Sequence, residues 1–127
     1  MAALSRKLLE EMGLTLDDVV SAGVATPGTA NNETGVVEYA NNIPFSMYPM
    51  CEKLSALLDG AKVYIENDAN AAAKAEAMAG AAKGTRTSVM ITLGTGVGGG
   101  VILDGEVYAG FNFAGAELGH TVIEKDG

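Results

Sequence analysis

An α/β fold is predicted for this chain of 127 residues, and three observations predict it. Short runs of β-branched and apolar residues, at 19–25 and 63–65, alternate with longer segments of helical spacing. Clusters of Gly, Pro and Asn punctuate the joins. After Gly84 the rhythm changes to strands in close succession, so a β-meander is expected to follow the alternating part. Hydrophobic residues make up 48% of the chain, enough for the packed core of one ordinary domain.

Residues 2–12 place Leu4, Leu8 and Met12 or Leu9 at helical spacing, with Gly13 as the stop. Val19, Val20, Ala22, Val24 and Ala25 form an apolar run typical of a buried parallel strand, ended by Thr26-Pro27-Gly28. A polar turn at 31–35 leads into a short extended piece through Val36, Val37 and Tyr39. Pro44 and Pro49 then bracket what reads as an irregular connection. A helix is expected over 50–58, with Leu54, Leu57 and Leu58 inward and Gly60 as its end. The strand 63–65 and an alanine-rich helix over about 68–83 follow. A candidate domain boundary lies at 84–86. Beyond it 88–93 and 98–103 read as strands around a tight turn at 94–96, Asp104-Gly105 as a hairpin turn, and 106–108 as its second arm. The small-residue segment 110–119 leads to 120–123, expected as a further strand.

Charge and composition remove several function classes. The net charge of −8 and scattered Lys and Arg speak against a nucleic-acid partner, which needs a clustered basic face. There is no Trp, and the Tyr and Phe residues form no stacking platform for single strands. The apolar runs are short and broken by Gly, and the first turns carry Ser5, Arg6, Lys7, Glu10 and Glu11. No membrane partner or secretory core is therefore expected, and a cytoplasmic location is the default. Cys51, alone, can build neither a disulfide framework nor a cysteine-rich metal site and is expected as a small buried apolar group.

Three clusters have chemical potential. Tyr64-Ile65-Glu66-Asn67-Asp68-Ala69-Asn70 sets a carboxylate and an amide where a strand gives way to a helix. Ligands of open α/β sheets bind outside the carboxyl ends of strands, and an Asp there can take a proton from a substrate hydroxyl. The plainer reading makes Asp68 or Asn67 a helix N-cap. Leu93-Gly94-Thr95-Gly96-Val97-Gly98-Gly99-Gly100 is a glycine-rich turn between strands, where bare backbone N–H groups and the Thr95 hydroxyl suit an anion such as a nucleotide phosphate. It has neither the Gly-Lys-Ser/Thr of a Walker loop nor the following helix of a dinucleotide fingerprint, and it also reads as an ordinary turn. In Ala116-Glu117-Leu118-Gly119-His120, the carboxylate and the imidazole can hydrogen-bond vicinal hydroxyls of a sugar, and the imidazole can also ligate a metal.

In this order and spacing, the clusters resemble the ROK family of sugar kinases and repressors, most closely its bacterial glucokinase branch. The resemblance runs from Gly23-Val24-Ala25-Thr26-Pro27-Gly28-Thr29 through Glu33-Thr34-Gly35, Tyr39-Ala40-Asn41-Asn42 and Glu66 to Asn70, and on to the glycine-rich turn and Glu117 to His120. It implies an actin-like ATPase (ribonuclease H-like) fold, present in part. Residues 1–84 are then the remainder of an N-terminal α/β lobe and 85–127 the start of a C-terminal one.

The resemblance implies ATP-dependent phosphorylation of a hexose, foremost glucose, with Asp68 as the catalytic base. Gly28, Asn67, Glu117 and His120 are implied as sugar ligands, and Gly94, Thr95 and Gly96 as nucleotide-phosphate contacts. It also implies Mg2+, a homodimer for the full-length protein, and a structural Zn2+ held by His120 together with a cysteine cluster beyond Gly127. The family's Asp-x-Gly-Gly-Thr phosphate motif, that cysteine cluster and the adenosine-binding helices are absent here, so the chain is expected to be a central fragment, inactive alone. Asn31 stands where many relatives have Asp, and Ala116 where a Gly is frequent, a change expected to be tolerated. Two other readings compete: the sugar-sensing domain of a ROK transcriptional repressor, and a truncated scaffold without catalysis.

Overall fold

The computed structural model describes residues 1–124. The chain divides into two compact units, Met1–Glu66 and Asn67–Gly127.

In the first unit, α1 spans Ala2–Glu11 and ends where Gly13 adopts a φ of +69° that few other residues tolerate. Its Leu4, Leu8 and Met12 remain exposed. Thr15 and Asp18 then form a reciprocal capping box around the 3-10 turn Leu16–Asp18, and the two bonds from Thr15 hold the Asp18 carboxyl below its ordinary value. This turn delays the strand expected from Val19. β1 spans only Ala22–Thr26, and Val20 lies exposed outside it.

β1 hydrogen-bonds to β5, Val63–Asn67, in a two-stranded sheet. Between them, β2 (Thr29–Asn31), β3 (Val36–Tyr39) and β4 (Ser46–Tyr48) make an antiparallel sheet with Val37 opposite Tyr48 and Tyr39 opposite Ser46. β4 corrects the expected irregular connection. Pro44 and Pro49 flank the strand and leave its ladder donors intact.

α2, Met50–Leu57, buries Met50 and Leu54, and Leu58 just beyond it is also buried. Leu57, expected inward, is exposed: Leu54 and Leu58 are four apart and share the inner face, while Leu57 lies about 100° round the axis from Leu58. The core of this unit is Ala30, Val37, Ala40, Met50 and Ile65, with Val24, Phe45 and Cys51 packed against it. Cys51, expected as a buried group, is only partly buried there, and that burial pushes its thiol pKa up.

In the second unit, α3 (Asp68–Ala79) packs on a sheet of β6 (Ser88–Leu93), β7 (Val97–Leu103) and β8 (Glu106–Val107). The sheet is antiparallel in the order β6-β7-β8. The helix stops four residues before the expected end at 83. Gly80 caps it, and the Glu76 carboxylate accepts the Ala81 N–H at 2.6 Å, drawing the chain into a turn. Lys74 Nζ reaches Gly105 O at 3.1 Å and Glu106 at 2.8 Å, tying α3 to the β7–β8 turn. The expected strand at 120–123 is instead a 3-10 turn, Leu118–His120, followed by irregular chain to Glu124. Val122 and Ile123 are exposed, with no strand paired to them among the described residues, so the apolar run has no ladder to join. No helix among the described residues is long and apolar enough to cross a membrane.

Candidate functional site

Gly28 lies in the first unit, in the turn between β1 and β2, with φ +84°. A Cβ there would collide with the backbone oxygen of Tyr39 and stand 2.7 Å from the Cα of Ala40. The fold itself therefore demands this glycine. Glu66, at the end of the same unit, accepts a hydrogen bond from Asn32 Nδ2 at 3.0 Å.

The other candidate residues all belong to the second unit. Asn67 is the N-cap of α3: its Oδ1 accepts from Ala69 N at 2.9 Å and Asn70 N at 3.1 Å, a cap worth about 1 kcal/mol. Of the two residues able to cap this helix, Asn67 does so, and Asp68 is the first helical residue. Asp68 is exposed, and its Oδ1 accepts from Ala69 N at 2.9 Å. The carboxylate is thus presented to solvent in the first turn of the helix, where the helix dipole favours a negative charge. One turn in, Asn70 is 2% exposed and its Oδ1 has no hydrogen-bond partner among the described residues.

β7 holds the remaining groups around this helix end. A Cβ on Gly98 would stand 2.6 Å from Thr92 Oγ1 and 3.5 Å from Ala69 Cβ; one on Gly100 would stand 2.5 Å from Ala73 Cβ and 2.8 Å from Ala69 O. The first two turns of α3 thus lie directly on the bare backbone of β7. Gly99 faces the other way, where its Cβ would meet Leu118 Cδ1 at 2.5 Å and Ala116 O at 2.9 Å, and a Cβ on Gly119 would collide with Val97 O. One strand therefore carries the Asp68 helix on one face and the segment of Glu117 and His120 on the other.

This divides the glycine-rich stretch 93–100 into two parts with different causes. Gly98, Gly99 and Gly100 are packing residues within a strand, a role the sequence reading missed. The signal was present in Ala69 and Ala73, small residues four apart on a helix, beside glycines two apart on a strand. Gly94 and Gly96, in the turn from β6 to β7, have no heavy atom within 4 Å of where a Cβ would stand, and neither has a positive φ. Neither packing nor backbone conformation explains them, and their open, unobstructed backbone suits close approach of an anion. Gly100→Ala is accordingly expected to cost about 1–3 kcal/mol of stability by overpacking, whereas Gly94→Ala leaves it nearly unchanged. Thermal denaturation of the two variants checks this.

Glu117 caps the 3-10 turn, and its Oε2 stands 4.0 Å from His120 Nε2, with both side chains half or more exposed. The two can flank a hydroxyl that accepts from the imidazole and donates to the carboxylate. Ala116 just before them has φ +65°, a left-handed conformation that costs a Cβ-bearing residue about 1–2 kcal/mol, so the residue expected to be well tolerated introduces backbone strain. Among the described residues no three His, Cys, Asp or Glu side chains come together to hold a metal ion. His120 alone does not meet the four-ligand requirement of a structural zinc site.

Comparison with known proteins places these features in a family. The ROK family model matches residues 3–127. Glucokinase of Thermotoga maritima is 42% identical over 106 residues, which are 83% of this chain and 33% of that protein. A ROK family glucokinase from Streptomyces griseus, solved in complex with glucose and AMPPNP, superposes with a TM-score of 0.82 at 33% identity, covering 99% of this chain and 40% of that one. A ROK family transcriptional regulator, a homolog of the E. coli MLC protein, superposes with a TM-score of 0.83 at 27% identity, covering 99% of this chain and 32% of that one. The chain spans about a third of the length of the glucokinase relatives it matches. Its α/β units are a partial actin-like ATPase fold, and the chain belongs to the ROK family.

Proposed function

We propose that the protein represented by this chain transfers the γ-phosphoryl group of ATP to a hexose, with glucose to glucose 6-phosphate as the leading reaction. The observation that carries this reading is the exposed Asp68 carboxylate at the start of α3, relieved of capping by Asn67. In this role Asp68 accepts the proton of the sugar hydroxyl that attacks the γ-phosphorus. Asn67, Glu117, His120 and the Gly28 turn fix the sugar through its other hydroxyls. Gly94, Thr95 and Gly96 receive the nucleotide phosphates, Thr95 by its hydroxyl and the glycines by unobstructed backbone. Such chemistry depends mainly on positioning and charge stabilisation. When bound, Mg2+ supplies neutralisation of the phosphate charge, and no cluster among the described residues holds it without further ligands.

The same reading assigns 1–84 and 85–127 to two lobes of a longer, cytoplasmic, homodimeric kinase. The identity to named glucokinases, at 40% or more for the first relatives, favours a kinase over the repressor reading, to which the regulator's TM-score lends support at 27% identity. The test is a chimera in which this chain replaces the matched stretch of the Thermotoga glucokinase. Product formation is followed over a panel of glucose, mannose, fructose, allose, N-acetylglucosamine and N-acetylmannosamine. Glucose is expected to give the highest kcat/KM. Preference for an N-acetylated sugar would reassign the substrate, and no turnover with any of them would contradict the kinase reading.

A structural zinc is proposed only for a longer chain, with His120 as one of four ligands. Stoichiometric zinc is expected in a version extended by a relative's cysteine cluster and lost in its His120→Ala variant, by metal analysis of the purified proteins. Zinc retained after the substitution would remove His120 from the ligand set.

A further inference from the structure

The backbone that carries Glu117 and His120 belongs to no strand or long helix. Ala116 is left-handed, and Glu117, with φ −71° and ψ 63°, is the centre of an inverse γ-turn that Leu118 N closes by donating to Ala116 O at 2.7 Å. His120 N then donates to Glu117 O and Thr121 N to Leu118 O, each at 3.1 Å. A γ-turn and one turn of 3-10 helix have little stability of their own, and a left-handed alanine opposes them. What holds this shape must therefore be the surface beneath it.

That surface is β7, and the side chain that meets it is Leu118. Residues three apart on a 3-10 turn come to one side, as the 4.0 Å between Glu117 Oε2 and His120 Nε2 shows, which leaves Leu118 directed elsewhere. Its Cγ and Cδ1 lie where a Cβ of Gly99 would stand 2.6 and 2.5 Å from them. Ala116 O stands 2.9 Å from the same point, and the backbone of Gly119 lies against Val97 O. Any residue but glycine at 99 would thus lift both Leu118 and the carbonyl preceding Glu117. Gly99 is a socket, and Leu118 fills it from a place in the chain between the two polar side chains.

We propose that Leu118, seated on Gly99, is a positioning residue that sets Glu117 and His120 for the sugar. The inference rests on the hexose-kinase reading and deepens it. Glu117 and His120 hold hydroxyls other than the one that reacts, so loosening them weakens the hold on the sugar in ground state and transition state alike. Such a loss appears in KM and leaves kcat nearly unchanged. The nucleotide contacts lie in the turn before β7 and do not depend on Leu118.

The test uses the Thermotoga chimera and reads steady-state kinetics, glucose binding by calorimetry and thermal unfolding on the same preparations. Leu118→Ala is expected to raise the glucose KM and dissociation constant by about tenfold, with kcat and the ATP KM within about twofold of the unsubstituted chimera. Leu118→Met, which refills the socket, is expected to restore glucose affinity. Gly99→Ala, which raises the floor under an intact leucine, is expected to give the same sugar-specific defect. Should Leu118→Ala fail to fold, Leu118→Val makes the smaller step in the same direction. Ile102→Val, fully buried farther along β7, supplies the contrast: it is expected to lower the unfolding temperature and leave the glucose KM unchanged. A chimera that binds glucose but forms no product sinks the kinase reading alone, because calorimetry still reads the effect of Leu118 on the sugar. Unchanged glucose affinity in Leu118→Ala, no restoration by Leu118→Met, or an equal loss in Ile102→Val would overturn the positioning role. No glucose binding by the unsubstituted chimera would overturn both.

Discussion

The 127-residue chain alone is expected to form no glucose 6-phosphate above background, even at saturating ATP and glucose. On the proposed reading it supplies a base and one phosphate turn, but the chain spans about a third of the glucokinases it matches. Effective positioning of two reactants supplies about 7–11 kcal/mol of a barrier, and a stretch matching a third of those enzymes is expected to provide only part of that. A coupled assay on the purified chain, with the full-length Thermotoga enzyme as positive control, makes the measurement. Robust turnover by the chain would show that a complete site is formed by the residues present.

Asp68→Asn in the chimera is expected to lower kcat by at least about 10²-fold while the glucose dissociation constant changes little. The amide keeps the size and hydrogen bonding of the carboxylate but cannot accept the proton. Structure makes this a cleaner experiment than the sequence suggested, because Asn67 and not Asp68 caps α3. Loss of rate therefore cannot be traced to loss of the cap. The change removes a negative charge from the first turn, which costs about 0.3–1 kcal/mol of helix stability and leaves the fold intact. Near-full turnover would reduce Asp68 to a helix-terminus charge. Steady-state kinetics with glucose titration on the same preparation separates the two outcomes.

Much of the α/β alternation was legible because local signals and tertiary packing agree. The helix over 68–79 and the strands 88–93 and 97–103 follow from alanine content, β-branching and a glycine turn, and each also finds a partner surface. Legibility failed where the partner decided the outcome. β4 forms because β3 offers a ladder between two prolines, and 120–123 stays irregular because no strand stands beside it. Val19 and Val20 look like the start of a strand, yet the Thr15–Asp18 capping box turns the chain just before them.

For the candidate site, Asp68, Gly94, Thr95, Gly96, Glu117 and His120 could be picked out as candidates by residue type, and their proposed roles read from the resemblance to the ROK family. The reason that the last two come to one strand with the Asp68 helix could not. It lies in the alternating bare faces of Gly98, Gly99 and Gly100, which become meaningful only when α3 and the 116–119 segment are seen on opposite sides of β7.

The steady-state rate of glucose 6-phosphate formation by the chimera, set against the parent Thermotoga glucokinase under the same conditions, bears most directly on whether these residues form a sugar-kinase site. With the proposed base, phosphate turn and sugar ligands all drawn from this chain, the chimera is expected to turn over within about tenfold of the parent. A chimera that folds cooperatively and binds both glucose and ATP, yet forms no product, would contradict the assignment of Asp68 and the residues around it.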